Sequence, residues 1–155
     1  MQGQVSLSRQ WRRGMAGLVL GMMAGSAWAG PVAEVWKDPN CGCCTAWAEH
    51  LESAGFEVQL HASQDMGAIK AEHGVPQRLV SCHTAVIDGY VIEGHVPAAD
   101  IQRLLDSEAE VSGLAVPGMP HGSPGMETGR VDDYAVYAWQ EDGDIDVYQR
   151  YTHDA

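Results

Sequence analysis

Basic residues are scarce in this chain. Nine Lys and Arg stand against 21 Asp and Glu, giving a formal net charge of −12 at pH 7 over 155 residues. A chain of that sign does not build the basic stripe that neutralises phosphates, which argues against DNA or RNA as partner. Past residue 30 no apolar run is long enough to span a bilayer, so the body of the chain is expected not to cross a membrane. There is no glycine-rich phosphate loop, no G-x-S-x-G elbow and no Ser/His/Asp set, so nothing points to nucleotide-dependent or serine-hydrolase chemistry. Internal repeats and low-complexity tracts are also missing. Asp142-Gly143-Asp144-Ile145-Asp146 lacks the closing Glu of a calcium loop and reads as a solvated hairpin tip.

The first 29 residues read as a cleavable export signal. Arg9, Arg12 and Arg13 make a positive start, Gly14 to Ala27 is small and apolar, and Ala27-Trp28-Ala29 is an A-x-A cleavage site. Residues 30–155 are then expected to form a single domain. Its four cysteines would face an oxidising compartment, the periplasm, where thiols are paired, metallated or actively kept reduced.

Along residues 30–155 the pattern alternates between strand and helix. Ala33 to Lys37 reads as a strand, Asp38-Pro39-Asn40 as a turn, and Thr45 to Ala54 as a helix with Trp47, Leu51 and Ala54 on one face. Phe56 to Leu60 is a second strand, and Asp65 to Glu72 a short capped helix. Thr84 to Ile87 and Tyr90 to Glu93 flank Asp88-Gly89 as a hairpin. Pro97 opens a third helix that turns Ile101, Leu104 and Leu105 inward. The order β-α-β-α-β-β-α is that of a thioredoxin-like α/β domain. The stretch 113–127, GLAVPGMPHGSPGME, is too rich in Pro and Gly for regular structure, and is expected to be an ordered loop packed on the domain. Tyr134 to Trp139 and Ile145 to Tyr151 make a C-terminal β-hairpin, with Tyr134, Val136 and Ala138 sharing a side.

Cys41-Gly42-Cys43-Cys44 is the most specific signal. Cys41 and Cys44 have C-x-x-C spacing at the head of the first helix, where the helix dipole favours a thiolate. A simple dithiol couple needs one attacking and one resolving sulfur, and a third thiol between them invites scrambling. The same cluster suits a soft cation. In the expected topology Cys82, just before the third strand, faces this motif, so four sulfurs converge. Two disulfides, such as Cys41–Cys44 with Cys43–Cys82, are the structural alternative. Structural zinc usually draws its ligands from two spaced pairs, which fits this arrangement poorly. Cu(I) tolerates low coordination by sulfur, and Met119 and Met126 offer further soft ligands unless they merely fill the core. His83, His95 and His121 could ligate or support ligands. His50, His61, His73 and His153 read as ordinary surface residues.

Four segments together resemble the CopG-type periplasmic copper-resistance family. They are Cys41-Gly42-Cys43-Cys44, Ser81-Cys82-His83-Thr84, the run from Tyr90 to Ala98, and residues 113–127. The resemblance extends from about Val35 to Tyr151. It implies a thioredoxin-like fold, a periplasmic location, and a cysteine-rich site able to hold several copper ions. It also implies a role in copper tolerance and in interconverting Cu(I) and Cu(II). By motif the site falls on Cys41, Cys43, Cys44 and Cys82, with Met119, Met126 and His95 as further candidates. His121 occupies a position that the family motif leaves variable. By analogy the loop 113–127 would be the surface offered to a copper efflux or chaperone protein. The competing function is a thiol–disulfide oxidoreductase using Cys41 and Cys44.

Overall fold

The computed structural model describes residues 30–153, and the expected export signal at 1–29 lies outside the described residues. The chain runs β1 (Val32–Lys37), α1 (Gly42–Ser53), β2 (Glu57–Ala62), α2 (Met66–Glu72), a 3-10 turn (Gln77–Leu79), β3 (Thr84–Ile87), β4 (Tyr90–Glu93), α3 (Ala98–Ser107), β5 (Gly113–Ala115), β6 (Tyr134–Trp139) and β7 (Ile145–Tyr151). The thioredoxin-like β-α-β-α-β-β-α order is present, and the C-terminal hairpin extends it. All seven strands form one sheet in the order β2-β1-β3-β4-β5-β6-β7.

Alternation along the strands divides the side chains between two faces. Ala33 and Val35 of β1, Ala85 and Ile87 of β3, Ile92 of β4, Leu114 of β5 and Val136 of β6 meet Trp47 and Leu51 of α1 and Ile101 and Leu104 of α3. Each large side chain fully buried here contributes about 1.5–3 kcal/mol. A smaller cluster of Leu79, Ala115 and Trp139 forms separately, with Val91, Tyr137 and Ile145 against it. A bulge between Val136 and Tyr137 shifts the register of the β6–β7 pair.

Two differences from the sequence reading bear on the site, beyond shifts of one or two residues at other element ends. The first helix begins at Gly42, not Thr45, so the cysteine motif lies inside its first turn. An Asx turn sets this up: Asn40 N–H donates to Asp38 Oδ1 at 2.8 Å, and Cys41 N–H donates to the Asp38 carbonyl at 3.0 Å. Cys41 then sits at the N-cap. The second correction concerns 113–127, which is not wholly irregular. Gly113–Ala115 is a strand, parallel to β4 and antiparallel to β6. Glycine suggests a breaker in the sequence, but here it permits contact. A Cβ on Gly113 would collide with the Val91 carbonyl oxygen and come within 2.6 Å of the Trp139 ring.

The topology collects the chemistry at one end of the sheet. β1 is antiparallel to β3, and β3 to β4. The end of β1, the start of β3 and the end of β4 therefore adjoin. The first delivers Cys41, the second Cys82 and His83, the third His95. β5 runs parallel to β4, so the long loop after Ala115 departs from the same end.

Candidate metal centre

The Sγ atoms of Cys41, Cys43, Cys44 and Cys82 all lie within 4.8 Å of one another, forming a group able to hold a metal ion. Cys41 and Cys44 are joined as a disulfide with their Cα atoms 5.4 Å apart, while Cys43 and Cys82 are free. One bridge of the two-disulfide alternative is thus formed and the other is not. The free Cys43 Sγ is 3.5 Å from Cys41 Sγ. No acidic side chain occupies the first turn of α1, so the positive end of the helix is left to the sulfurs. Burial, joined by the neighbouring Cys43, pushes the Cys82 thiol up to about 12. A metal binding there displaces a proton.

Cys82 also belongs to a second group, with His83 and His95. His95 Nε2 lies 3.0 Å from Cys82 Sγ, and His83 Nδ1 lies 3.2 Å from it. The other nitrogen of His95, Nδ1, donates to the Pro124 carbonyl at 2.7 Å. A second hydrogen bond of this kind fixes the tautomer and aims the free nitrogen. The backbone beside His95 is held in turn: Trp47 Nε1–H donates to the Val96 carbonyl at 2.8 Å, and Gly94 N–H to the His83 carbonyl at 3.0 Å. Burial lowers the pKa of His95, against the Pro124 hydrogen bond and the charge of Glu127.

His83 is fully buried. Its ring packs against Trp47 at 4.3 Å and meets His95 edge-on at 5.1 Å. Burial, aided by His95 and Lys70, holds its pKa well below the usual histidine value.

The loop beyond β5 closes over the site. Gly125 adopts φ +86, and a Cβ there would come within 2.7 Å of the Cys43 carbonyl and 2.8 Å of Trp47 N. Only a bare backbone can pass so close to the head of α1. The neighbouring Met126 is half-buried, and its backbone N–H donates to the Ser123 carbonyl. Met119 is 51% exposed. His121 stands outside both metal-competent groups. Its Nδ1 pairs with Thr128 Oγ1 at 2.6 Å, and its backbone N–H donates to Asp132 Oδ2.

Below Cys82 lies a buried polar network that local sequence patterns do not reveal. Glu93 is fully buried. Its Oε1 accepts from Lys70 Nζ and from Ser81 N–H, both at 2.7 Å, and its Oε2 accepts from Thr84 Oγ1 at 2.7 Å. Ser81 Oγ–H donates to the Gly118 carbonyl, tying the Cys82 segment to the loop. His50 also departs from expectation. It is half-buried rather than an ordinary surface residue, and its Nε2 accepts from Ala98 N–H at the start of α3, satisfying a helix-end donor. His61 and His73 flank Trp36, with ring centroids 5.3 and 4.9 Å away.

A family profile described as "Protein of unknown function, DUF411" matches residues 79–126, which take in Cys82, His83, His95 and the loop as far as Met126. No curated protein is matched. Two solved structures are similar over most of the chain. One, titled "Copper resistance protein copG- Form 2", is 50% identical, covers 79% of this chain and 99% of its own, and superposes with a TM-score of 0.76. The other, titled "Copper resistance protein copG- Form 1", is also 50% identical, covers 79% of this chain and 98% of its own, and has a TM-score of 0.75. With that identity over that length, and with the cysteine and histidine cluster in place, the chain belongs to the CopG copper-resistance protein family.

Proposed function

We propose that this protein binds copper in the periplasm and holds Cu(I) through its clustered cysteines as part of copper resistance. Residues 1–29 serve as the export signal, and 30–155 form the single metal-binding domain. The observation that carries this reading is the convergence of four sulfurs and one oriented imidazole nitrogen at the end of the sheet. Thiolates and imidazole suit Cu(I), and they favour it over hard cations that require oxygen ligands.

In the disulfide form, Cys43 and Cys82 are the thiols left free for an ion, and His95 adjoins Cys82. Reduction frees Cys41 and Cys44, raising the number of thiolates and allowing more than one ion to be held. Met126, in the loop over the head of α1, and Met119 are further soft donors. Re-oxidation of that pair couples to copper: two Cu(II) ions each gain one electron as the Cys41 and Cys44 thiolates give up two and close their bond. The loop 116–127, adjoining the site, is the surface offered to a copper efflux or chaperone partner.

The joined Cys41–Cys44 pair at the head of α1 favours one second reading, a thiol–disulfide oxidoreductase. Two assays separate them. Reduced protein titrated with Cu(I) against a chromophoric chelator competes for the metal under the copper reading, and Cys82→Ser binds less or more weakly. Failure to compete removes the copper reading. Insulin reduction by metal-free protein would support the second reading, and absence of turnover removes it.

A further inference from the structure

We propose that His83 is a hydrogen-bond donor to the Cys82 sulfur and not a copper ligand, and that this bond tunes a copper–thiolate link whose imidazole ligand is His95. The last step rests on the copper reading, whereas the first concerns the metal-free protein alone.

The assignment follows from counting hydrogens around one sulfur. The Pro124 carbonyl can only accept, so His95 Nδ1 carries a hydrogen. If His95 is neutral, its Nε2 is a lone pair, and the hydrogen between it and Cys82 Sγ is the thiol's own. If His95 is charged, Nε2–H points at a Cys82 thiolate, which has no hydrogen to give. In either state the sulfur has none left for His83, whose Nδ1 stands 3.2 Å away. The hydrogen on that contact must come from His83, and the sulfur accepts it.

The far nitrogen agrees with this. His83 Nε2 is buried and has no hydrogen-bond partner among the described residues. A buried N–H without an acceptor is rarer than an underused acceptor. With its hydrogen on Nδ1, neutral His83 leaves only a lone pair at Nε2. The nitrogen that faces the Cys82 sulfur is therefore the protonated one. The nitrogen able to bind a metal is enclosed in the protein, on a ring packed against Trp47.

The consequence is a division of labour between two histidines that flank the same sulfur. His95 presents a lone pair and takes the ion. His83 is a positioning residue that acts through Cys82. An N–H donated to a thiolate withdraws charge from the metal–sulfur bond, and hydrogen bonding around a cysteine sulfur is a recognised control on copper potentials. The bond weakens donation to Cu(II) more than to Cu(I), so it favours Cu(I).

Side-chain ¹⁵N NMR of the metal-free protein, with the Cys41–Cys44 bridge intact, reads the tautomers directly. Both His83 and His95 are expected as Nδ1–H forms. On addition of Cu(I), the His95 Nε2 resonance shifts strongly while His83 retains its Nδ1 hydrogen. An Nε2–H tautomer at His83, or loss of its Nδ1 hydrogen on Cu(I) addition, overturns the proposal. The tuning is read from the Cu(II)/Cu(I) potential. His83→Phe lowers it, and His83→Asn, which places an amide N–H near the Nδ1 position, restores it towards wild type. Equal potentials in all three proteins overturn the tuning. A protein that takes up no Cu(I) overturns the function proposed above, and the tautomer result stands apart from it.

Discussion

His95 Nε2 stands 3.0 Å from Cys82 Sγ because the opposite ring nitrogen is tied to the Pro124 carbonyl. A residue from the end of β4 is thus aimed at a cysteine from the start of β3 by a loop some thirty positions further along the chain. The arrangement predicts a clean separation of effects. His95→Asn keeps a donor near Nδ1 and removes the nitrogen facing the sulfur. Its thermal stability should stay near wild type, while Cu(I) affinity, measured by chelator competition, falls by about tenfold to a hundredfold. Unchanged affinity would remove His95 from the site.

Gly125 is the point where the loop touches the head of α1. An alanine there meets the Cys43 carbonyl and Trp47 N, and also forces a side chain into a left-handed conformation. Gly125→Ala should cost about 1–2 kcal/mol from the backbone conformation alone, and more from the clash. Displacing the loop also moves Pro124, so Cu(I) affinity should fall with stability. Gly129→Ala is the control, since it has a similar φ of +85 but open space around it. It should lose stability only. Equal affinity in the two variants would mean that the loop does not orient the site.

Lys70 and Glu93 form a buried ion pair beneath Cys82. Removing one partner strands the other charge, so Lys70→Met should destabilise the fold by about 3–5 kcal/mol in urea denaturation. The double variant Lys70→Met/Glu93→Gln should recover part of that loss, because a neutral amide can still accept from Ser81 N–H. A double variant no more stable than Lys70→Met would show that charge burial is not the cause.

Three histidines, His50, His83 and His95, are held below the ordinary value of 6.5, in each case chiefly by burial. The unfolded chain takes up protons near that value and the folded chain resists them. Their contribution to stability is therefore present above pH 6.5, and it is lost as pH falls from 6.5 towards the folded values. Each histidine adds a slope of at most about 1.4 kcal/mol per pH unit across that window. Asp100, raised chiefly by burial, acts in the opposite sense. Denaturation midpoints of metal-free protein should fall between about pH 7 and pH 5, and less steeply in His83→Phe. A flat profile would contradict the burial argument.

Much of this was legible in the sequence because it is local. Asp88-Gly89 between two apolar runs fixed the β3–β4 hairpin, and the spacing of Trp47 and Leu51 fixed the buried face of α1. The C-x-C-C motif announced itself, and the strand order placed Cys82 opposite it. The rest depends on pairings between distant residues. Gly113 reads as a loop residue until the Val91 backbone and Trp139 ring it must pass are known. Lys70 and Glu93, on different elements, carry no signal that they meet. Pro124 acts through its carbonyl, which every residue has, so nothing in its identity marks it as the group that orients His95. His50 likewise caps a helix that begins far along the chain at Ala98.

In the proposed copper site, sulfurs from the head of α1 and from the start of β3 share one ion. Copper X-ray absorption on the reduced, Cu(I)-loaded protein tests it most directly. A copper shell dominated by sulfur is expected, with the sulfur count reduced in both Cys43→Ser and Cys82→Ser. A shell made only of nitrogen and oxygen, or one that Cys82→Ser leaves unchanged, would contradict it.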